Sequence, residues 1–256
     1  MFLYAEHYAG KGPNEVISCL DHFISTLPLT TKKLKIFADN CFSQNKNKYI
    51  IAYLYAVVHE KLEEVNVYYP LPGHSRLPCD RNFARIEKQR RKKDKVIKPS
   101  EWVSLIKETD ITKPFQIAFV EHPLTDDVAH DGTPVVKVKD FKQGFDKFLH
   151  PTKGIAKIRG LLFRRGENPR FRYSMTGDCS AELCLLKRGR KLRELLHASK
   201  NLFPAYPSFL KIKKEKFDDI VALLRHVTIS REVTFYNTIS TLSQEEQLSD
   251  DEEDNE

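Results

Sequence analysis

Between Phe2 and about Lys88 the chain alternates short apolar runs with stretches of helical periodicity, and that alternation leaves few folds open to it. Residues 2–6, FLYAE, read as a strand. Next comes a helix opened by Pro13, whose fixed φ suits the first helical position, with Glu15 in the first turn where the helix dipole favours an acid. Val16, Ile17, Leu20, Phe23, Ile24 and Leu27 fall on one face of it, and Pro28 ends it. Residues 33–38 form a second strand, and a helix from about Asn45 to Glu60 follows. Val65 to Tyr69 make a third strand, and Asp80 is placed to cap a third helix that runs into lysines and arginines. Strand, helix, strand, helix, strand, helix predicts an α/β fold with a mostly parallel sheet joined by right-handed crossovers. Polar residues gather just after the strand ends, at Asp39 and at residues 74–80, the sheet edge where ligands bind in open α/β folds.

Beyond Pro99 the pattern changes. A short helix around Trp102 precedes a strand in FQIAFVEH, and segments near residues 155–164, 170–175 and 181–187 read as a small antiparallel sheet with turns at Gly166 and Gly177. A helix from about Lys213 to His226 follows. The expected division is a core at residues 1–110, a small β-rich region with a closing helix at 111–243, and a disordered acidic tail at 244–256.

Charge narrows the partners. The formal net charge is +7, but eight of the 35 acids lie between Gln244 and Glu256, where there is no base. The rest of the chain carries 42 basic and 27 acidic residues, a balance of +15 that favours polyanions, nucleic acid being the commonest. Seven bases and one acid lie between Lys88 and Lys98, including Arg90, Arg91, Lys92 and Lys93. A second cluster holds Lys187, Arg188, Arg190, Lys191 and Arg193. Either could bind phosphates or be a solvated face, and the first could also be a nuclear localisation signal. No apolar run approaches the ~18–20 residues of a membrane span, and no basic stretch has the aromatic face of a membrane-surface helix. Five scattered cysteines without a CxxC pair fit reduced thiols, and with no targeting segment the expected compartment is the nucleus or cytoplasm. His74, Cys79 and Cys41 could form a zinc set, though their spacing matches no common module. Ser249 stands before Asp-Asp-Glu-Glu, as in acidophilic kinase sites.

Three blocks carry a resemblance: KLKIFADNCFSQNKN, VYYPLPGHSRLPCDRNFARIE, and Pro99 with Glu101 and Trp102. Together with FPAYPSFLKIKKEKFDDIVALL they resemble an uncharacterised domain family of animal proteins derived from mobile elements, which in turn looks like a ribonuclease H-like transposase or integrase core. The resemblance implies a mixed sheet and a two-metal site in which three acids converge on magnesium or manganese. It implies Asp39 for the strand-borne acid and Asp80 or Glu87 for the helix-borne one. It makes FLYAE the third strand, so the first two strands and the first acid would lie before Met1. Phe42 and Ser43 stand where relatives have paired glycines, Asn82 where they have an acid, and Ala84 where they have a glycine. The expectation is a nucleic-acid-binding remnant, DNA being the first candidate, that binds no metal productively and does not cut. Gln44, Asn45 and Lys46 join the two basic clusters as candidate nucleic-acid contacts. The alternatives are a metal-dependent subunit completed by another chain, and a protein-interaction module.

Overall fold

The computed structural model of the chain describes residues 1–71, 77–97, 99–121, 133–227, 236 and 239. Among them lie seven α-helices and two sheets of a mixed α/β protein. Two units emerge. One comprises residues 11–81 and 138–205, the other residues 1–10, 82–137 and 206–256, so the division runs through a helix.

The first unit begins with α1 (Pro13–Thr26). Pro13 occupies the first turn, and the Gly12 amide donates to the Glu15 carboxylate at 2.8 Å, satisfying one of the amides that the helix start leaves unpaired. Ile17, Ser18 and Ile24 are buried on its inner face. β2 (Lys33–Phe37) and β3 (Glu64–Tyr68) pair in parallel, with α2 (Lys48–Glu60) as the crossover. All nine residues from Ile50 to Val58 are buried, so α2 is a central core helix, apolar on every side. Asn47 caps it, its side chain accepting from the Tyr49 and Ile50 amides, each at 3.1 Å. That cap starts α2 at Lys48 rather than at the expected Asn45.

β6 (Gly160–Arg164) runs antiparallel to β3, and β7 (Arg170–Arg172) and β8 (Ala181–Glu182) continue outward, giving the order β2-β3-β6-β7-β8. The antiparallel strands were expected as a small separate sheet; backbone pairing of β6 with β3 makes them an extension of the parallel pair instead. Gly166 and Gly177 turn the chain as expected, with φ of 83° and 87°. α5 (Phe141–Asp146) and α6 (Leu192–Lys200) complete the unit. Leu34, Ile36, Val65, Val67, Leu161 and Phe163 meet α1, α2 and α5 in one core, where burial of each large side chain contributes about 1.5–3 kcal/mol.

The second unit holds a parallel sheet of β1 (Phe2–Leu3), β4 (Ala118–Glu121) and β5 (Val135–Lys137), in the order β1-β4-β5. Here the expectation is corrected: β1 is two residues long and pairs with β4, not with the strand pair that follows it in sequence. α3 (Pro78–Arg90) crosses the division after Arg81, and α4 (Pro99–Thr109) and α7 (Lys214–Leu224) lie wholly in this unit. Ile86, Val103, Leu105, Ile106, Ile117 and Phe119 form its core. No helix among the described residues is long and apolar enough to cross a membrane. His74 of the zinc reading, Ser249 and the acidic tail lie outside the described residues.

Candidate nucleic-acid interface

β2 ends by delivering Asp39 and Asn40 to the sheet edge, and the loop that follows folds back on both. The Asp39 carboxylate accepts from the Cys41 amide at 3.1 Å and from the Asn45 side chain at 2.5 Å. Asn40 donates to the Pro70 carbonyl, while its oxygen accepts from Lys46 at 2.9 Å and from Arg159 at 3.0 Å. Lys46 is 1% exposed and also donates to the Ala156 carbonyl at 2.8 Å. Its ammonium lies 4.9 Å from the centre of the Tyr69 ring. Burial, and secondarily the Arg159 guanidinium, push its pKa down to about 8. The buried Tyr69 hydroxyl donates to the Asn45 carbonyl at 2.9 Å.

These bonds reassign the loop residues. Lys46 does not present its amine to a phosphate, because that amine is enclosed and donating to two oxygens. The Asn45 side chain is committed to Asp39. Gln44 is half-buried, and its carbonyl accepts from Asn47 at 3.2 Å. The Asp-Asn…Asn-Lys-Asn spacing is thus accounted for as a loop clamp, with Asn47 capping α2.

The helix-borne acids are also committed locally. Asp80 is exposed in the first turn of α3 and reaches back to accept from the Leu77 amide at 2.8 Å. Glu87 accepts from Arg91 at 3.1 Å and lies 3.6 Å from Arg90; these partners, Arg91 first, hold its carboxyl below the usual range. Among the described residues no group of three His, Cys, Asp or Glu side chains gathers that could hold a metal ion. Cys41 contacts Ser43 at 3.4 Å and Cys79 lies 3.9 Å from Asp80, with all five thiols free.

Glu87 draws Arg90 and Arg91 onto the helix, and Lys93 pairs with Glu108 at 3.1 Å. Lys88 and Lys92 have no acidic partner among the described residues. The second basic cluster is more open. The Arg190 amide donates to the Lys187 carbonyl at 3.0 Å, closing a tight turn in which Gly189 takes φ 81°. The turn exposes Arg188 and delivers Arg190 and Lys191 to the start of α6. Between α5 and α6 lies a cleft of about 970 Å³, with Lys147, Arg190, Arg193 and His197 on its walls. The Phe148 ring lies 5.0 Å from the Lys147 ammonium and 5.6 Å from the Arg190 guanidinium. The cleft's acids are already engaged: Asp140 accepts from Asn14 at 3.1 Å and Gln143 at 3.0 Å, and Glu194 from the Lys191 amide at 2.9 Å.

Residues 1–175 match the model of DUF7869, a domain of unknown function. The chain belongs to the DUF7869 family. No curated protein and no solved structure matches it. The DUF7869 match takes in the Asp39 loop, α3 and most of the five-stranded sheet, and ends before the basic turn at residues 187–191. In this DUF7869 protein the basic cluster is contiguous in the sequence, whereas Lys147 and His197, which line the cleft beside it, are not. A lone lysine at the end of one helix and a lone histidine within another carry no local signal; only packing of α5 on α6 brings them together.

Proposed function

We propose that the protein is a nucleic-acid-binding protein of mobile-element origin, with a ribonuclease H-like core, that does not itself cut or join its ligand. The observation that carries the binding reading is the cleft beside α6. Lys147, Arg190, Arg193 and His197 line it, the basic turn with Arg188 and Lys191 adjoins it, and its acids are held in helix-start hydrogen bonds. Lys147, Arg190 and Arg193 outnumber Asp140 and Glu194 in the lining, and Arg188 and Lys191 add to that excess, so the site attracts a polyanion. The parallel pair β2 and β3 joined by α2, with an aspartate just past the first strand, supports the core reading, as do the sequence blocks around it. Against it stands β1, which belongs to another sheet. The silent-chemistry reading rests on Asp39, Asp80 and Glu87, each engaged with its own loop or helix.

The test is a binding titration against salt with duplex DNA and duplex RNA. With about five cations engaged, log affinity should fall with log salt at a slope near −4 to −5. Neutralising Arg188, Arg190, Lys191 and Arg193 together to Gln should make that slope shallower by about 3 and weaken all sequences alike. A flat salt response would remove the proposal. A second reading, a metal-dependent nuclease or transposase subunit completed by another chain, draws on the exposed position of Asp39 at the strand end. Cleavage in magnesium or manganese that Asp39→Ala abolishes would promote it over the first.

A further inference from the structure

The outer face of the five-stranded sheet carries none of the residues considered so far. Alternation along β2 and β3 turns Leu34, Ile36, Val65 and Val67 into the core and leaves Lys33, Lys35 and Phe37, with Glu64, Asn66 and Tyr68, on the opposite face. Register then sets a rank across the sheet: Phe37 opposite Tyr68, Tyr68 opposite Gly160, and Gly160 opposite Arg172. The Phe37 and Tyr68 rings stack with centroids 4.9 Å apart and planes 17° from parallel. The Arg172 guanidinium lies 5.5 Å from the Tyr68 ring centre on the far side of that pair. Gly160 makes this possible, because a Cβ there would come within 2.6 Å of Arg172 Nε. Lys33 and Lys35 are exposed on the same face, and Glu64 is engaged by Arg164 at 3.0 Å and Asn66 at 3.0 Å.

Cross-strand aromatic pairs stabilise sheets by ~0.2–1 kcal/mol, and that alone could account for two stacked rings. It does not account for a phenylalanine left 56% exposed on a face that also carries Lys33, Lys35 and Arg172. We infer that this face binds single-stranded nucleic acid, an unpaired base stacking on the open side of Phe37, which Tyr68 backs, while Lys33 and Lys35 hold the flanking phosphates. A duplex keeps its bases stacked inside and cannot offer one to a sheet face; a single strand can, and aromatic rings accept any base. This inference rests on the nucleic-acid reading above but uses a different surface, so the two can fail separately.

The experiment uses the full chain with a 12-nucleotide oligo(dT), the equivalent oligo(U), and a 12-base-pair duplex. Phe37→Ala should weaken oligo(dT) or oligo(U) about fivefold or more, since a base–aromatic stack is worth ~1–3 kcal/mol at about 1.4 kcal/mol per tenfold, and should leave duplex affinity unchanged. Tyr68→Phe should retain single-strand binding. The indole introduced by Phe37→Trp should be quenched by oligo(dT) and not by the duplex, measured against Trp102 of the unaltered chain. Equal losses on single strand and duplex, or oligo(dT) bound without quenching, would overturn the inference. If duplex binding persists and responds to Arg190→Gln with Arg193→Gln while oligo(dT) ignores Phe37, the stacking face alone is lost. If no oligonucleotide binds at all, the nucleic-acid reading falls with it.

Discussion

Lys46→Met exchanges a buried ammonium for an apolar side chain of similar length, and the structure sets the pH range over which the exchange matters. In the unfolded chain Lys46 titrates near its ordinary 10.5; in the folded protein burial and Arg159 bring it to about 8. Below pH 8 both states are charged, and folding carries the full cost of enclosing the charge. As pH climbs from about 8 toward 10.5 the folded protein releases the proton while the unfolded chain keeps it. The unfolded state then binds more protons, so stability rises with pH. Each pH unit in that window is worth at most about 1.4 kcal/mol. Solvent beside the exposed Phe42 and Ser43 screens part of this, leaving about 1–2 kcal/mol between pH 7 and pH 10. Urea unfolding of wild type and variant at those two pH values is the assay, and wild type should gain that amount relative to Lys46→Met. Other groups move the opposite way in alkali: Cys19 is pushed up to about 12, chiefly by burial and then by Glu15, and burial also raises Tyr69. They cancel in the difference between the two proteins. A stability difference that is the same at pH 7 and pH 10 would refute the claim that the folded state encloses the charge.

Three further outcomes follow from the same structure. Asn47→Ala removes the two bonds that cap α2 and both side-chain bonds to the Phe42 and Gln44 carbonyls, so it should cost about 2 kcal/mol, at the upper end for a helix cap, read as a lowered urea midpoint. Pure protein incubated with nicked, blunt and hairpin substrates in magnesium or manganese should leave them intact. Deleting Gln244–Glu256, with its eight acids, should tighten duplex binding most at low salt; equal affinities with and without it would show that it does not compete for the basic surface.

Elements with a strong local pattern could be read from the sequence. α1 announced itself through Pro13 and its apolar face, and β2 and β3 through short apolar runs, because these signals are written within a dozen residues. Pairing partners are not local. β1 is two residues long and offers no pattern that separates β4 from β3 as its neighbour, and nothing in residues 160–164 declares that they will extend the parallel pair. Lys46 shows the same limit at the site. Its place among polar loop residues suggested a phosphate ligand, but Ala156 and Arg159, more than a hundred residues away, turn it into an internal clamp. Asp39 as a strand-borne acid and Gln44 and Asn45 as nucleic-acid contacts were candidates from their types and places, and the structure bonds them chiefly to their own loop. The rank of Phe37, Tyr68 and Arg172 has no local signal, because its members come from three separate strands.

β2 ends the five-stranded sheet, so no described strand pairs with its outer edge. An open edge carries a row of unused amides and carbonyls, a template on which a second copy could zip itself, and lysines are a common guard against that event. Lys33 and Lys35 stand guard here with two positive charges on a five-residue strand. A polyanion settling over those lysines would disarm it, so crowding along a ligand should favour edge-to-edge assembly that the free protein resists. Light scattering at a fixed protein concentration should then rise when oligo(dT) is added and stay flat when an equal charge of polyglutamate is added. If both leave it flat, the edge is protected by something other than charge.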